Sequence, residues 1–112
     1  SVLSMKKSTI QNQPETVQKF TNAIIKALKT VQNDKSVAKK VLKEEFTTMS
    51  DSDIQSSLDR AYKDNLWSPD GNISEKAVEN DMDVLTTTGI YKDSYSYNTL
   101  VNMKFFKSAV KN

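Results

Sequence analysis

Neither cysteine nor histidine occurs in the 112 residues. Their absence excludes disulfides, thiol nucleophiles, imidazole general bases and every zinc site built on Cys or His. A cysteine-free chain suits an oxidising exterior as well as a cytosol, so cysteine usage assigns no compartment. Glycine and proline are scarce, two of each, and so few turn residues imply long helices. An excess of one charge is also missing, because 16 basic and 14 acidic residues give a net charge of +2. The basic residues neither cluster nor alternate with stacking aromatics, which gives no footprint for nucleic acid or an anionic membrane. No apolar run is long enough to span a bilayer, and Ser-Val-Leu-Ser-Met-Lys-Lys at the start lacks the order of a signal peptide. If the parent protein is exported, its address is expected upstream of Ser1.

What is present is helical periodicity. One core is the ceiling for a chain of this size, which buries roughly two-thirds of the surface its unfolded form exposes. Residues 2–7 begin with an apolar-polar alternation through Val2, Leu3 and Met5, which reads as one short strand or an extended lead-in. Such a strand has no partner in the chain, and its unpaired edge suggests a missing neighbour. Pro14 fits the first position of a helix and Glu15 complements its dipole. Val17, Phe20, Ile24, Leu28 and Val31 then lay an apolar stripe, widened by Ile25 and Ala27. Asn33-Asp34 can cap a second helix with the stripe Val37, Val41, Leu42 and Phe46, its Lys39, Lys40 and Lys43 facing away. Ser50 and Asp53 form a capping-box variant ahead of a third helix carrying Ile54, Leu58, Ala61, Tyr62 and Leu66. Trp67 falls where that helix ends, and Ser68-Pro69-Asp70-Gly71 is strong turn chemistry. Ser74 caps a fourth helix with Ala77, Val78, Met82 and Leu85, which Gly89 is placed to end. Tyr91 to Tyr97 reads as loop, and Leu100 to Val110 as one last short helix. The fold class predicted is mainly α, a single helical segment with at most one short N-terminal strand.

Carboxylates are the only catalytic groups left to consider. Glu44-Glu45, Asp51 with Asp53, and Glu79 with Asp81 and Asp83 all lie on polar faces or at helix starts, where nothing splits their pKa values into an acid and a base. Asp81 and Asp83 cannot share a helix face. Asp51-Ser52-Asp53 lacks the glycine and distal Glu of a calcium loop. The expectation is no catalytic, cofactor-binding or metal residue on this chain. Trp67 reads as a core anchor for the turn rather than a ligand-stacking surface. Tyr91, Tyr95 and Tyr97 read as a loop tethered by ring burial. Phe105 and Phe106 point to nearly opposite faces, so one is expected to touch something outside the helical cluster.

The segment LWSPDGN at 66–72, followed by Ser74-Glu75-Lys76-Ala77-Val78 and closed by Leu85-Thr-Thr-Thr-Gly89-Ile90, comes in fixed order. With Gln13-Pro14-Glu15-Thr16-Val17-Gln18-Lys19-Phe20, it resembles the C-terminal part of ABC-importer substrate-binding proteins, of the nitrate/sulfonate/taurine and thiamine-precursor type. The resemblance spans nearly the whole chain but consists of helix boundaries rather than reactive groups. It implies the helical C-terminal portion of a two-lobed periplasmic-binding-protein-like α/β fold, residues 2–7 being the strand that returns from the second lobe. It implies a fragment of a non-enzymatic, extracytoplasmic or membrane-anchored lipoprotein that delivers a small molecule to importer membrane subunits. The ligand would be held mainly by residues before Ser1. Two rivals stand beside it: a free-standing helical protein-interaction module, and part of a thiamine-precursor synthesis enzyme of the same fold.

Overall fold

The computed structural model describes residues 2–111. Those residues are mainly helical and contain no strand, the order being α1 (Lys7–Asn12), α2 (Pro14–Asn33), α3 (Lys35–Glu45), α4 (Asp51–Lys63), α5 (Glu75–Thr87), α6 (Tyr97–Leu100) and α7 (Lys104–Ala109). Of the strand or extended lead-in expected over residues 2–7, the strand does not form. Residues 2–6 have no regular structure and Lys7 already belongs to α1. An alternating pattern becomes a strand only beside another strand, and none is available.

Local chemistry sets the helix starts. Pro14 opens α2 with Glu15 in its first turn. The Asp34 carboxylate accepts the N–H groups of Ser36 and Val37 and starts α3 a single residue after α2 stops. Ser50 accepts the N–H of Asp53 at the head of α4, and Ser74 that of Ala77 at the head of α5. Each satisfies a donor that the first helical turn leaves without an intrahelical partner. Two of the helix stops use left-handed residues. Asn65 (φ 49°) ends α4, with its own N–H bonded to Tyr62 O and that of Leu66 bonded to Ala61 O, the Schellman pattern. Gly89 (φ 73°) ends α5.

Two packing centres are built on α2. Its N-terminal two-thirds packs against α7, with Val17 and Ile25 buried on one side and Phe105 and Ala109 on the other. The Gln18 amide reaches across to the Phe105 carbonyl at 2.8 Å. Beyond the turn at Asp34, α3 packs against α4. Ala38, Ile54 and Leu58 form a core lined by Val31, Leu42, Tyr62 and Trp67. By contrast, none of the main helix–helix packings among the described residues involves α5, whose buried side chain is Met82.

Several predicted stripes turn on their axes. On α3 the residue taken into the core is Ala38, whereas Val37 and Val41 face solvent and Phe46 is half exposed. The small side chain lets α4 approach closely. Lys39 and Lys43 consequently face α4 rather than away from it, bonding Gln55 and Asp51, each at 2.8 Å. Phe20 of α2 is exposed, as is Leu66, which follows the left-handed Asn65 and leaves the helical register. The single C-terminal helix expected over 100–110 is broken, because Val101 is extended (φ −121°, ψ 129°) and separates α6 from α7.

The molecule is open. Its radius of gyration is 17.0 Å, where a compact chain of this length has about 13 Å. Its accessible surface is 8798 Å², against roughly 6,200 Å² for a compact monomer of the same mass. Large apolar side chains account for part of that excess, including Val2, Leu3, Val41, Phe46, Val84 and Ile90.

Candidate functional site

The residues that follow α4 organise the centre of the molecule. At the end of α4 the Trp67 ring meets Tyr62 edge-on, 5.2 Å between centroids, and leans on the Ala38–Ile54–Leu58 core. The Trp67 carbonyl accepts from the Gln32 amide of α2 at 3.4 Å. Four residues later the chain turns at Gly71 (φ 80°), whose N–H bonds the Ser68 hydroxyl, while the N–H of Asn72 bonds the Asp70 carboxylate. A methyl group on Gly71 would sit 2.5 Å from Cδ1 of Ile25 and within contact of Leu28 and Phe106. This turn therefore fills the angle between α2 and α7, with the Trp67 end fixed on one packing centre and the Gly71 end on the other.

Beyond the turn lies an open cleft of about 780 Å³ between the start of α5 and the α6–α7 segment. Its lining includes Asn72, Asn98 and Asn102, the cations Lys104 and Lys107, and Glu75. Apolar floor comes from Ile73, Val101 and Met103. The wall is held by Tyr97, whose hydroxyl donates to the Ile73 carbonyl at 2.5 Å. Amides and ammonium groups can orient a polar or anionic solute. The sequence reading took Tyr97 as part of a tethered loop and Ser74 as a helix cap, and expected no site here, because the cleft is assembled from segments 22 or more residues apart and carries no motif.

The other candidates fall into structural roles. Trp67 is half-buried and anchors its turn, as expected. Of the phenylalanine pair, Phe105 is buried beside α2, whereas Phe106 lies next to Gly71 and stays partly exposed. Glu44 lies opposite Lys40 at 4.0 Å, and Glu79 opposite Lys76 at 3.3 Å. Asp53 accepts the Ser50 hydroxyl at 2.6 Å. Among the described residues no group of three or more acidic side chains comes together as a metal site.

Displaced ionisation also has structural causes. The Ser36 hydroxyl, followed by the N–H groups of Val37 and Ser36, holds Asp34 below its ordinary value. The hydrogen bond and charge of Lys43 do the same for Asp51. Burial, and then the charge of Asp34, pushes the Tyr62 phenol up. That hydroxyl donates to Val31 O at 2.7 Å, one of the last carbonyls of α2, and Lys35 sits 4.7 Å above its ring.

No family model matches the chain, and no solved structure does. The chain is 33% identical over 100 residues to a protein of Bacillus subtilis (strain 168) named "Putative binding protein YtlA". That match covers 87% of this chain and 29% of the Bacillus protein, so the chain spans less than a third of that relative's length. Among the described residues no helix is long and apolar enough to cross a membrane.

Proposed function

We propose that this chain is the helical C-terminal part of an extracytoplasmic solute-binding protein that hands a small molecule to the membrane subunits of an ABC importer. The observation that carries the reading is the identity, over most of this chain, to part of a longer protein named as a binding protein. The order of Pro14, the Trp67–Gly71 turn, the Ser74 cap and the Gly89 stop supports the same reading, because these points fix the geometry of the helices. The open surface supports a role as part of a larger fold. Solute contacts come mainly from the remainder of the protein, since an enclosing site draws polar groups from two opposing walls. The chain itself is non-catalytic. Asp34 caps α3, and Glu44, Asp51, Asp64 and Glu79 are ion-pair partners; the protein is held outside the membrane by an anchor or signal carried upstream.

Calorimetric titration tests this. The polypeptide from the longer reading frame is titrated with sulfonates, nitrate and aminopyrimidines beside the 112-residue chain. Saturable heat from one of these solutes with the longer polypeptide, and none with the shorter, is the expected result. Turnover of an aminopyrimidine precursor would overturn the reading in favour of the enzyme, and a reading frame beginning at Ser1 would favour the free-standing interaction module.

A further inference from the structure

Helix α2 carries apolar residues on more of its circumference than the molecule covers. Val17, Ile25 and Leu28 lie on the side packed against α7 and the Gly71 turn. Phe20, Ala23, Ile24 and Ala27 recur at i, i+3, i+4 and i+7, which places them together on an adjacent face. Phe20 is 46% exposed, Ala23 and Ala27 are exposed, and Ile24 is half-buried. A helix at a protein surface shows one apolar stripe, and a second stripe beside it marks a helix covered from two sides. Ala23 and Ala27 form a low row beside the Phe20–Ile24 ridge, against which another element can pack closely.

We infer that this second face of α2 is an internal seam of the longer polypeptide, covered by a segment of the same protein and not by a second copy of this chain. The inference rests on the reading of the chain as part of a larger protein. Area decides between the occupants. The chain exposes about 2,600 Å² more than a compact monomer of its mass, whereas each partner in a standard interface gives up about 800 Å². The uncovered apolar groups also lie on separate elements: Val2 and Leu3 before α1, Phe20 on α2, Val41 on α3, Val84 on α5 and Leu100 on α6. A single two-fold contact reaches one face, whereas burial within a larger fold reaches several. The Bacillus relative has more than two-thirds of its length outside the matched region, enough chain to supply that cover.

Hydroxyl-radical footprinting of Phe20 in the 112-residue chain and in the longer polypeptide reads the seam directly. Strong labelling in the short chain and loss of labelling in the longer one is expected. Ala27→Glu keeps helix propensity and should leave the short chain's unfolding midpoint unchanged while lowering that of the longer polypeptide; Lys26→Glu should lower neither. Equal labelling of Phe20 in both proteins would overturn the inference even if the longer one binds a solute. A dimer of the longer polypeptide that Ala27→Glu dissociates would also overturn it. Protection of Phe20 in a longer polypeptide that binds no solute would sustain the seam and defeat only the functional reading.

Discussion

Gly71→Ala should be among the most damaging single-methyl additions in this protein, for two separable reasons. The first is backbone conformation, because φ is 80° and an L-residue in the left-handed region costs about 1–2 kcal/mol. The second is space. The added Cβ would lie 2.5 Å from Ile25 Cδ1, and Ile25 is 6% exposed, so its side chain cannot swing into solvent. Overpacking of this kind costs about 1–3 kcal/mol, which gives roughly 2–5 kcal/mol in total. Gly89→Ala is the internal control. It has the same backbone handedness, with nothing within 4 Å of the new methyl, and should cost only the backbone term, about 1–2 kcal/mol. Ile25→Val removes Cδ1 and should alone cost about 0.5–1.5 kcal/mol. Combined with Gly71→Ala, it relieves the clash, so the double variant should be more stable than the sum of the singles predicts, by about 1 kcal/mol or more. Urea unfolding followed by far-UV circular dichroism on the parent and the four variants measures this, given a two-state transition. Additivity within about 0.5 kcal/mol would refute the steric account, and so would a Gly71→Ala cost no larger than that of Gly89→Ala.

Trp67→Ala should lower stability by about 3 kcal/mol, the low end for emptying an aromatic site because the ring is only half-buried; a loss below about 1 kcal/mol in the same denaturant assay would remove its anchoring role. Tyr62→Phe deletes the bond to Val31 O at the end of α2 and leaves that carbonyl without its partner, so a cost of about 1–2 kcal/mol is expected from the midpoint shift. Asp34 and Asp51 both have folded values below their ordinary 3.8. Their contribution to stability is therefore fully present above that value and is lost as pH falls through the lower folded values. An acid titration of the unfolding midpoint should show the loss below about pH 4. It should be blunted in the Asp34→Asn, Asp51→Asn double variant, since Asn still caps α3 but does not titrate. Identical acid limbs in the two proteins would count against both roles.

Helix starts and stops were legible in the sequence because each depends on a few adjacent atoms. Asp34, Ser50 and Ser74 satisfy backbone donors within three residues of themselves, Pro14 lacks the N–H that a helix start would leave unpaired, and Gly89 relieves a steric conflict at its own φ. The start of α1 carries no such signal. Lys6 makes no side-chain cap there, and a stretch containing apolar residues at 3 and 5 reads equally well as extended chain. The core of α4, Ile54 and Leu58, was also readable, since a single stripe on that helix left one face to bury.

Which of two competing faces a helix buries was decided only by the tertiary structure. On α3 the residues Val37 and Val41 outweigh Ala38 in hydrophobicity, yet Ala38 is buried because α4 approaches at that position, and Lys39 and Lys43 come with it to meet Gln55 and Asp51. The cleft beside Tyr97 was likewise invisible, its walls being joined by a hydrogen bond across 24 residues. The sequence alone determined where α2, α3, α4 and α5 begin, where α5 ends and that the 66–73 segment turns, because those are short-range balances of hydrogen bonding and backbone sterics. Tertiary structure alone decided the facing of α2 and α3, the contact of Gly71 with Ile25 and the exposure of Phe20, because burial depends on which surface arrives to exclude water.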